Sequence, residues 1–436
     1  FLGRMDGFVA WVDQTINDLR AGVDRGVVYP KPVVERALGP LAQIGVGDPR
    51  QSLFWQPILN FPAGIPVADR KRLIEAWQAR LGGQVLPAYR RLHDYLQKEY
   101  LPRARTTTGM GALPSGDLWY AYLVRYYGGA QLTPEEVHQL GLREVARIRA
   151  EAERLMRQGG AASDLRSHFE ALCQQPDQRA ATPAELLARY AAVQSRVQAA
   201  LPLLFAELPG RPLAIRATEP VRAQYAGTAN YRPPPPAAGA PGVLYVNTSA
   251  LETRSTCLVE TQFLHEAVPG HHLQAALAIG HAGWPRVRRI GDDFTYREGW
   301  SLYAQSLGRD LGLYADAGSL AGYLMTDLWM AARVVVDTGL HARGWTREQA
   351  IQYLRANSGL GEAAVEADVD RSLAAPGLLL SFKLGELTIR RLRERAQQQL
   401  GARFDIREFH AQVAGGGSMP MPALERRIDA WIAARK

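Results

Sequence analysis

The sequence predicts a mainly α-helical protein with two large helical lobes and one small β-sheet. Long segments, such as residues 66–101 and 132–158, carry apolar residues at intervals of three and four with charged residues between them, which is typical of amphipathic helices. Thr133, Thr182 and Thr346 are each followed three residues later by Glu or Gln, a pattern that marks a helix start. Residues 211–249 depart from this helical pattern.

Residues 211–249 are rich in Pro, Gly and β-branched residues, which predicts loops and short strands. We expect strands at LAIRA, residues 213–217, and at VLYVNT, residues 243–248. The lobe boundary is placed at the start of this region. One continuous domain would then consist of an N-terminal helical lobe, residues 1–205, that lines a cleft, and a second lobe, residues 206–436.

Composition excludes several classes of protein. The chain has 436 residues, of which 47% are hydrophobic, so it can bury a large core. Its net charge of +8 comes partly from arginine clusters at helical spacing, which are typical of solvated helix faces, and we expect no nucleic-acid partner. No apolar run reaches the roughly 18 residues that a membrane span needs.

The termini and cysteines give further expectations. The chain begins at Phe1 without a signal peptide, so we expect a fragment or processed form whose targeting segment is not present. Cys173 and Cys257 are its two cysteines, and we expect both to be buried and inert, without a disulfide framework.

One short motif carries the candidate chemistry. Residues 265–272 read HEAVPGHH. A His-Glu-x-x-His helix binds a metal because histidines four residues apart share one helix face. Here Pro269 occupies that fourth position, and His271 on a regular helix would be rotated about 120° away from His265. His272 would lie on the correct face but about 10 Å along the axis.

Pro269 and Gly270 can resolve this difficulty. Proline has no N–H and its ring clashes with the preceding turn, so the helix is expected to break here. If two residues are extruded, His271 takes the place of the second ligand. His271 is favoured over His272, which stays an alternative ligand.

A third ligand is expected from a later helix. Glu298 lies in REGW, residues 297–300, among aromatic residues. Two imidazoles and one carboxylate leave a fourth position open for water, which is the composition of catalytic zinc sites. We therefore predict Zn²⁺ bound by His265, His271 and Glu298, with Glu266 beside it as the general base.

These motifs resemble a known bacterial family, domain of unknown function 885, whose hallmarks are His-Glu-x-x-Pro-Gly-His-His and Glu-Gly-Trp. The matching segments are HEAVPGHHLQ, residues 265–274, and YREGWSLYAQSL, residues 296–307, and similar segments run through most of the chain. The resemblance implies a helical fold like that of the gluzincin metallopeptidases, with the sheet beside the active-site helix. It also implies the same zinc ligands and base, and a location in the cell envelope or periplasm.

Several positions depart from the family pattern. Ser372 and Phe382 stand where tyrosines are expected, Leu378 stands where Gln is expected, and Gln305 replaces a Glu after Glu-Gly-Trp. Because tyrosine hydroxyls in such sites stabilise the oxyanion, these departures predict altered specificity, a different donor or weak activity.

Other residues are candidates for substrate contacts. His341, Tyr296 and Arg371 are candidate oxyanion donors. Arg371 could instead hold the C-terminal carboxylate of a substrate, which would favour carboxypeptidase action. The strand VLYVNT could bind a peptide along an exposed edge, with Tyr245 and Asn247 lining the cleft.

The sequence therefore predicts a zinc metallopeptidase, a carboxypeptidase or oligopeptidase, that hydrolyses short peptides. Two alternatives stay open: a zinc- and peptide-binding protein with little or no turnover, and a zinc hydrolase of non-peptide amides. No oligomeric state is predicted.

Overall fold

The computed structural model describes residues 2–45, 47–59, 61, 64–129, 131–158, 164–208, 210–223, 226–235 and 239–436. These residues are mainly helical with one three-stranded sheet, which confirms the predicted mainly helical class with a small sheet. Contacts divide the chain into two compact units. The first contains Phe1–Asp117 and Arg343–Thr346, and the second contains Leu118–Ala342 and Arg347–Lys436. The lobe boundary at residue 205 stays a prediction.

The first unit is built from four helices and several short helical turns. The helices are α1 (Leu2–Asp24), α2 (Lys31–Ile44), α3 (Val67–Arg80) and α4 (Leu86–Tyr95). Two apolar clusters hold them together, one around Val12 and Tyr100 and the other around Trp77 and Leu81.

The second unit contains the remaining helices. They are α5 (Gly116–Gly128), which begins at the end of the first unit, α6 (Pro134–Gln158), α7 (Leu165–Cys173), α8 (Pro183–Ala200), α9 (Pro220–Ala223), α10 (Val259–Glu266), α11 (His271–Gly280), α12 (Arg286–Ile290), α13 (Phe294–Ser306), α14 (Ala317–Ala342), α15 (Arg347–Ala356), α16 (Glu362–Ala374), α17 (Leu380–Leu400), α18 (Ile406–Ala414) and α19 (Met421–Arg435). Helix α14 forms the centre of the core, since most of its residues are buried.

The predicted helix starts agree with the structure. Thr133 accepts a hydrogen bond from the Glu136 N–H, and the Glu136 carboxylate accepts one from the Thr133 N–H at 2.8 Å. Thr182 caps α8 through the Glu185 N–H, at 3.1 Å. Helix α15 begins at Arg347, directly after Thr346.

The sheet contains strands β1 (Leu213–Ala217), β2 (Ala229–Arg232) and β3 (Gly242–Val246), in the order β1-β3-β2. Strand β3 pairs in parallel with β1 and antiparallel with β2. LAIRA therefore forms a strand as predicted, and so does the first part of VLYVNT, which ends as a strand at Val246. However, β3 is the central strand, and this corrects the expectation of an exposed edge there.

The cysteines differ from the expectation. Cys173, at the end of α7, forms a disulfide with Cys257, in a short helical turn that leads into α10. Their Cα atoms are 5.6 Å apart, within the usual range for this bond. The two residues are 84 positions apart in the chain, so their pairing could not be inferred from local sequence.

The sequence predicts no membrane-spanning segment, and the hydropathy of the helices is consistent with this. Within the ranges given above, no helix is both long and apolar enough to cross a bilayer.

Candidate metal centre

The motif HEAVPGHH forms two helices rather than one. Helix α10 ends at Glu266 and α11 begins at His271, with residues 267–270 as a tight connection that contains a cis bond before Pro269. Gly270 allows this connection, because a Cβ there would lie 1.9 Å from the His265 carbonyl oxygen and 2.4 Å from that of Leu264. Any larger residue would push against the backbone that carries His265.

The break brings three candidate ligands together. The Nε2 atoms of His265 and His271 lie 3.4 and 3.5 Å from the same oxygen, Oε2 of Glu298. All three ligand atoms lie within 4.8 Å of one another, and the side chains are only 12, 10 and 8% exposed. Tetrahedral zinc with bonds of about 2.0 to 2.1 Å places its ligands roughly 3.3 Å apart. The spacing therefore fits zinc.

Helix α13 supplies both a ligand and the groups that orient the other two. Glu298, Ser301 and Gln305 are three and four residues apart and therefore share one face. Ser301 Oγ lies 2.8 Å from Nδ1 of His271, and the Gln305 amide lies 2.8 Å from Nδ1 of His265. Such partners fix the ring orientation of metal-binding histidines and leave Nε2 for the metal.

The Gln305 amide gives a further test of the fit. As placed, its Nε2 faces His265, while its buried Oε1 has no hydrogen-bond partner. The two ends of an amide are assigned from the hydrogen-bond network. Rotation of this amide by half a turn would let Oε1 accept the Nδ1–H of His265. In that orientation His265 presents an unprotonated Nε2 to a metal, and the amide NH2 takes the buried position in which Oε1 has no partner.

Each carboxylate oxygen of Glu298 lies close to a basic side chain. Its Oε1 lies 3.1 Å from the Arg297 guanidinium, while Oε2 faces the two imidazoles. Burial alone would raise the pKa of Glu298, but His271 and His265 outweigh it and hold the pKa well below its usual value. Burial lowers the pKa of His271, yet Glu298 more than compensates and the net shift is upward. A cation between these groups would be electrostatically favoured.

The residues after Glu298 explain the Glu-Gly-Trp sequence. A Cβ on Gly299 would lie 2.5 Å from the Cα of Gly385, so two glycines let α13 and α17 cross closely. Trp300 is fully buried and its indole N–H donates to the Pro269 carbonyl at 2.8 Å. Glu298 is thus a candidate ligand, Gly299 lets α13 pack closely against α17, and Trp300 holds the connection between α10 and α11.

Glu266 lies beside the outer edge of the sheet. Its Oε2 accepts a hydrogen bond from the backbone N–H of Tyr231, in edge strand β2, at 2.8 Å. Among the described residues, Oε1 of Glu266 has no hydrogen-bond partner. The sheet therefore fixes one carboxylate oxygen of Glu266.

The alternative ligand His272 lies elsewhere. Its Nε2–H donates to the Arg211 carbonyl at 3.0 Å, and its Nδ1 lies 3.0 Å from the Tyr231 hydroxyl. The ring packs against Gly242, where a Cβ would lie 2.6 Å from Nδ1. His272 therefore fastens α11 to the sheet, and the structure brings His271 to the centre instead.

The predicted strand contacts are corrected. Tyr245 pairs with Arg216 on one side and Asn230 on the other, so its backbone has no free edge for a peptide. Asn247 is fully buried, and its amide donates to the Ala223 carbonyl at 2.7 Å and to that of Ala226. Neither residue can bind substrate in the predicted way.

Two predicted oxyanion donors are also corrected. Tyr296 is two residues from Glu298, about 200° around the helix, and its hydroxyl donates to the Val413 carbonyl at 2.6 Å. His341 is buried, and its Nε2–H donates to the Ser372 carbonyl at 3.0 Å. Both polar groups stabilise helix packing.

Arg371 and Phe382 lie around the centre. Phe382 stacks on the His265 ring with 6.4 Å between centroids, and it presents no hydroxyl at this position, where a tyrosine was expected. Arg371, on α16, is exposed and interacts electrostatically with Glu298. Of the three predicted oxyanion donors, Arg371 is the one with such a link to a ligand.

Sequence reasoning missed several residues of this site. Ser301, Trp300, Arg297 and Tyr231 were not assigned roles, and Gln305 was noted only as a departure. The spacing of 298, 301 and 305 on one helix face could have identified Ser301 and Gln305. No local signal identifies Tyr231, because its contact depends on how the sheet packs.

The family model described as bacterial protein of unknown function (DUF885) matches residues 1–428. The chain belongs to the DUF885 family. No curated protein matches it.

Two solved structures resemble this DUF885 chain. One, described as a "putative lipoprotein" from Colwellia psychrerythraea, is 31% identical, with a TM-score of 0.93 over 99% of this chain and 75% of the other. The second, described as a "putative lipoprotein of unknown function" from Shewanella oneidensis, is 17% identical, with a TM-score of 0.70 over 98% of this chain and 77% of the other. The second likeness concerns the fold alone.

Proposed function

We propose that this protein is a zinc-dependent metallopeptidase that hydrolyses short peptides. The observation that carries the proposal is the convergence of two imidazole Nε2 atoms on one oxygen of Glu298, at 3.4 and 3.5 Å. Partners at both Nδ1 atoms and the adjacent carboxylate of Glu266 support it. Two imidazoles and one carboxylate are the composition of catalytic rather than structural zinc.

When bound, zinc would supply Lewis-acid polarisation of a carbonyl and a water molecule acidic enough to lose its proton near neutral pH. Glu266 would accept that proton on its free oxygen and return it to the leaving amine. The hydrogen bond from Tyr231 N–H keeps its carboxylate oriented during the exchange. In the net reaction one water would be added across the scissile C–N bond: its OH would end on the carbonyl carbon, and the amine would leave with the proton that Glu266 returns.

The test combines metal analysis with cleavage of a mixed peptide library by the purified protein. We expect stoichiometric zinc and defined products. Glu266→Gln should retain zinc but lose about 10²- to 10⁴-fold in rate, since a positioned general base contributes that much. His265→Ala should lose the metal. Product that persists in the Glu266→Gln protein would contradict the mechanism.

A second candidate is a zinc- and peptide-binding protein with little turnover. The observation that favours it is Phe382, which occupies the expected tyrosine position against His265 without a hydroxyl. Bound zinc, peptide binding and no product from the wild-type protein would support this alternative. Products from amides other than peptides would instead favour a zinc amidohydrolase.

We also propose a location in the cell envelope. The relative from Colwellia psychrerythraea is described as a "putative lipoprotein", and the Cys173–Cys257 disulfide suits an oxidising compartment. Fractionation of cells that produce the native protein tests this, and recovery in the cytoplasm with free thiols would contradict it.

A further inference from the structure

Arg371 is a cation close to the metal centre without a charge partner of its own. It is exposed on α16 and makes no hydrogen bond or ion pair with the residues that the structure describes. It interacts electrostatically with Glu298, Asp368 and Arg333. Because Glu298 belongs to the candidate metal centre, Arg371 lies within reach of whatever occupies the surrounding site.

The acid one turn before Arg371 on α16 is already paired with another arginine. Asp368, one turn before Arg371, accepts hydrogen bonds from Nε of Arg333 at 2.9 Å and from the Trp329 indole at 2.8 Å. A second nitrogen of Arg333 binds the other carboxylate oxygen, so the pair is bidentate. Asp368 is therefore paired with the buried Arg333 and does not form an ion pair with Arg371.

The same cluster extends to the metal centre through aromatic rings. The Arg333 guanidinium lies 3.9 Å above the Trp329 ring and 5.5 Å from the Phe382 ring. Phe382 in turn stacks on His265. These contacts hold the paired Arg333 beside the candidate metal centre, whereas Arg371 forms no ion pair with the described residues. Partial burial of its side chain and the like charge of Arg333 lower the pKa of Arg371, while Asp368 and Glu298 act in the opposite direction.

We propose that Arg371 binds a carboxylate of the peptide substrate, primarily its free C-terminus, so that the enzyme cleaves near the C-terminal end. This inference rests on the proposed peptidase function. It decides between the two roles that the sequence allowed for Arg371. An oxyanion donor acts best where water is excluded, whereas Arg371 is exposed. The forked guanidinium matches a carboxylate in a bidentate geometry.

The test measures binding in the zinc-loaded Glu266→Gln protein, so that it does not depend on turnover. Calorimetry compares matched acetylated peptides with a free C-terminal carboxylate or a C-terminal amide. We expect the free acid to bind about 10- to 100-fold more tightly, the range for hydrogen bonds to a charged group. Arg371→Met should remove this preference without changing zinc content. Arg286→Met, at an exposed arginine of α12, is the matched control and should keep the preference.

A second set of peptides distinguishes a C-terminal carboxylate from a side-chain carboxylate. Peptide amides with an internal Glu are compared with the same peptides carrying Gln. A preference for Glu that disappears in Arg371→Met assigns the site to a side-chain carboxylate. Equal binding of acid, amide, Glu and Gln peptides overturns the proposal, as does a preference unchanged by Arg371→Met. The proposed function fails separately, if the wild-type protein with zinc cleaves no peptide.

Discussion

At the residue scale, Gln305 determines how His265 is presented to a metal. The family resemblance predicts a Glu at this position, and a carboxylate that accepts the Nδ1–H makes the ligand imidazole more basic. The neutral Gln305 orients the ring but supplies less of this effect. We therefore predict that Gln305→Glu binds zinc about 10-fold more tightly and Gln305→Leu about 10- to 100-fold more weakly.

Competitive titration against a chromophoric chelator near neutral pH measures these affinities. Gln398→Glu, at an exposed position of α17, adds the same charge at the surface and should leave zinc affinity unchanged. If Gln305→Glu binds zinc no more tightly than the wild type, the proposed contact between the amide oxygen and His265 is wrong.

Only some residues of the candidate site could be predicted from the sequence. Helix geometry alone required a break at Pro269 and Gly270, and the structure contains that break. The choice between His271 and His272 could only be weighted, because it depends on how far the chain turns across the break. Tyr296 and His341 were misassigned because the sequence does not show which carbonyl accepts their buried polar hydrogens.

At the element scale, Asp337 fastens α14 to the connection between α16 and α17. It is fully buried and accepts hydrogen bonds from the Tyr120 hydroxyl and from the N–H of Gly377 at 3.1 Å. Burial raises its pKa to about 7, although these two donors act in the opposite direction. The folded protein therefore holds a proton on Asp337 more tightly than the unfolded chain, in which the pKa is near 3.8.

The raised pKa of Asp337 predicts the direction in which stability changes with pH. The stabilisation from protonated Asp337 is complete below about pH 4 and is lost as the pH rises towards about 7. In that window the free energy of unfolding should fall by about 1.4 kcal/mol per pH unit from this group. Asp337→Asn cannot titrate, so the stability difference between wild type and variant should show this slope. Urea unfolding between pH 4.5 and 7.5 measures it, roughly in steps of one unit.

The exposed Asp310→Asn variant is the matched control, since it removes a carboxyl group that lies at the surface. A wild-type-minus-variant difference for Asp337 that stays constant with pH would show that its carboxyl is already ionised in the folded protein.

The starts of some helices were predicted correctly, whereas the strands were predicted less well. Capping residues fixed the starts of α6 and α8, because Thr and Glu side chains satisfy free N–H groups locally. Strand β2 was not predicted, since ANYR is short and is followed by prolines. The position of β3 within the sheet was predicted wrongly, because alternating burial is common to edge and central strands and pairing is decided by distant residues.

At the scale of the whole molecule, the disulfide connects α7 to the turn that precedes α10. A cross-link between residues 84 positions apart restricts the unfolded chain and, on the chain-entropy estimate, stabilises the fold by about 4.6 kcal/mol. We predict that reduction with a phosphine lowers the urea midpoint of the second unit accordingly.

The Cys173→Ser, Cys257→Ser double variant is the control for this measurement. It should unfold at the lower midpoint with or without reductant. No cysteine belongs to the candidate metal centre, so zinc content should be similar in both proteins. Identical midpoints for the oxidised and reduced wild type would show that the cross-link does not stabilise the fold.

The overall architecture was the most predictable feature, because helical periodicity extends through most of the chain and its spacing survives any tertiary arrangement. The disulfide and the division near residue 117 depend on contacts between distant segments. Neither leaves a local signal in a single sequence.

Helix α13 sets a limit on how this chain can vary in length. Glu298, Ser301 and Gln305 depend on a fixed angular relation, and inserting one residue among them would turn part of the set by about 100°. The segment between α11 and α13 has no such restriction, since only its two ends position ligands. Homologues should therefore tolerate insertions and deletions between residues 281 and 292 but none between 298 and 305. A search pattern for active relatives should fix the second interval and leave the first free.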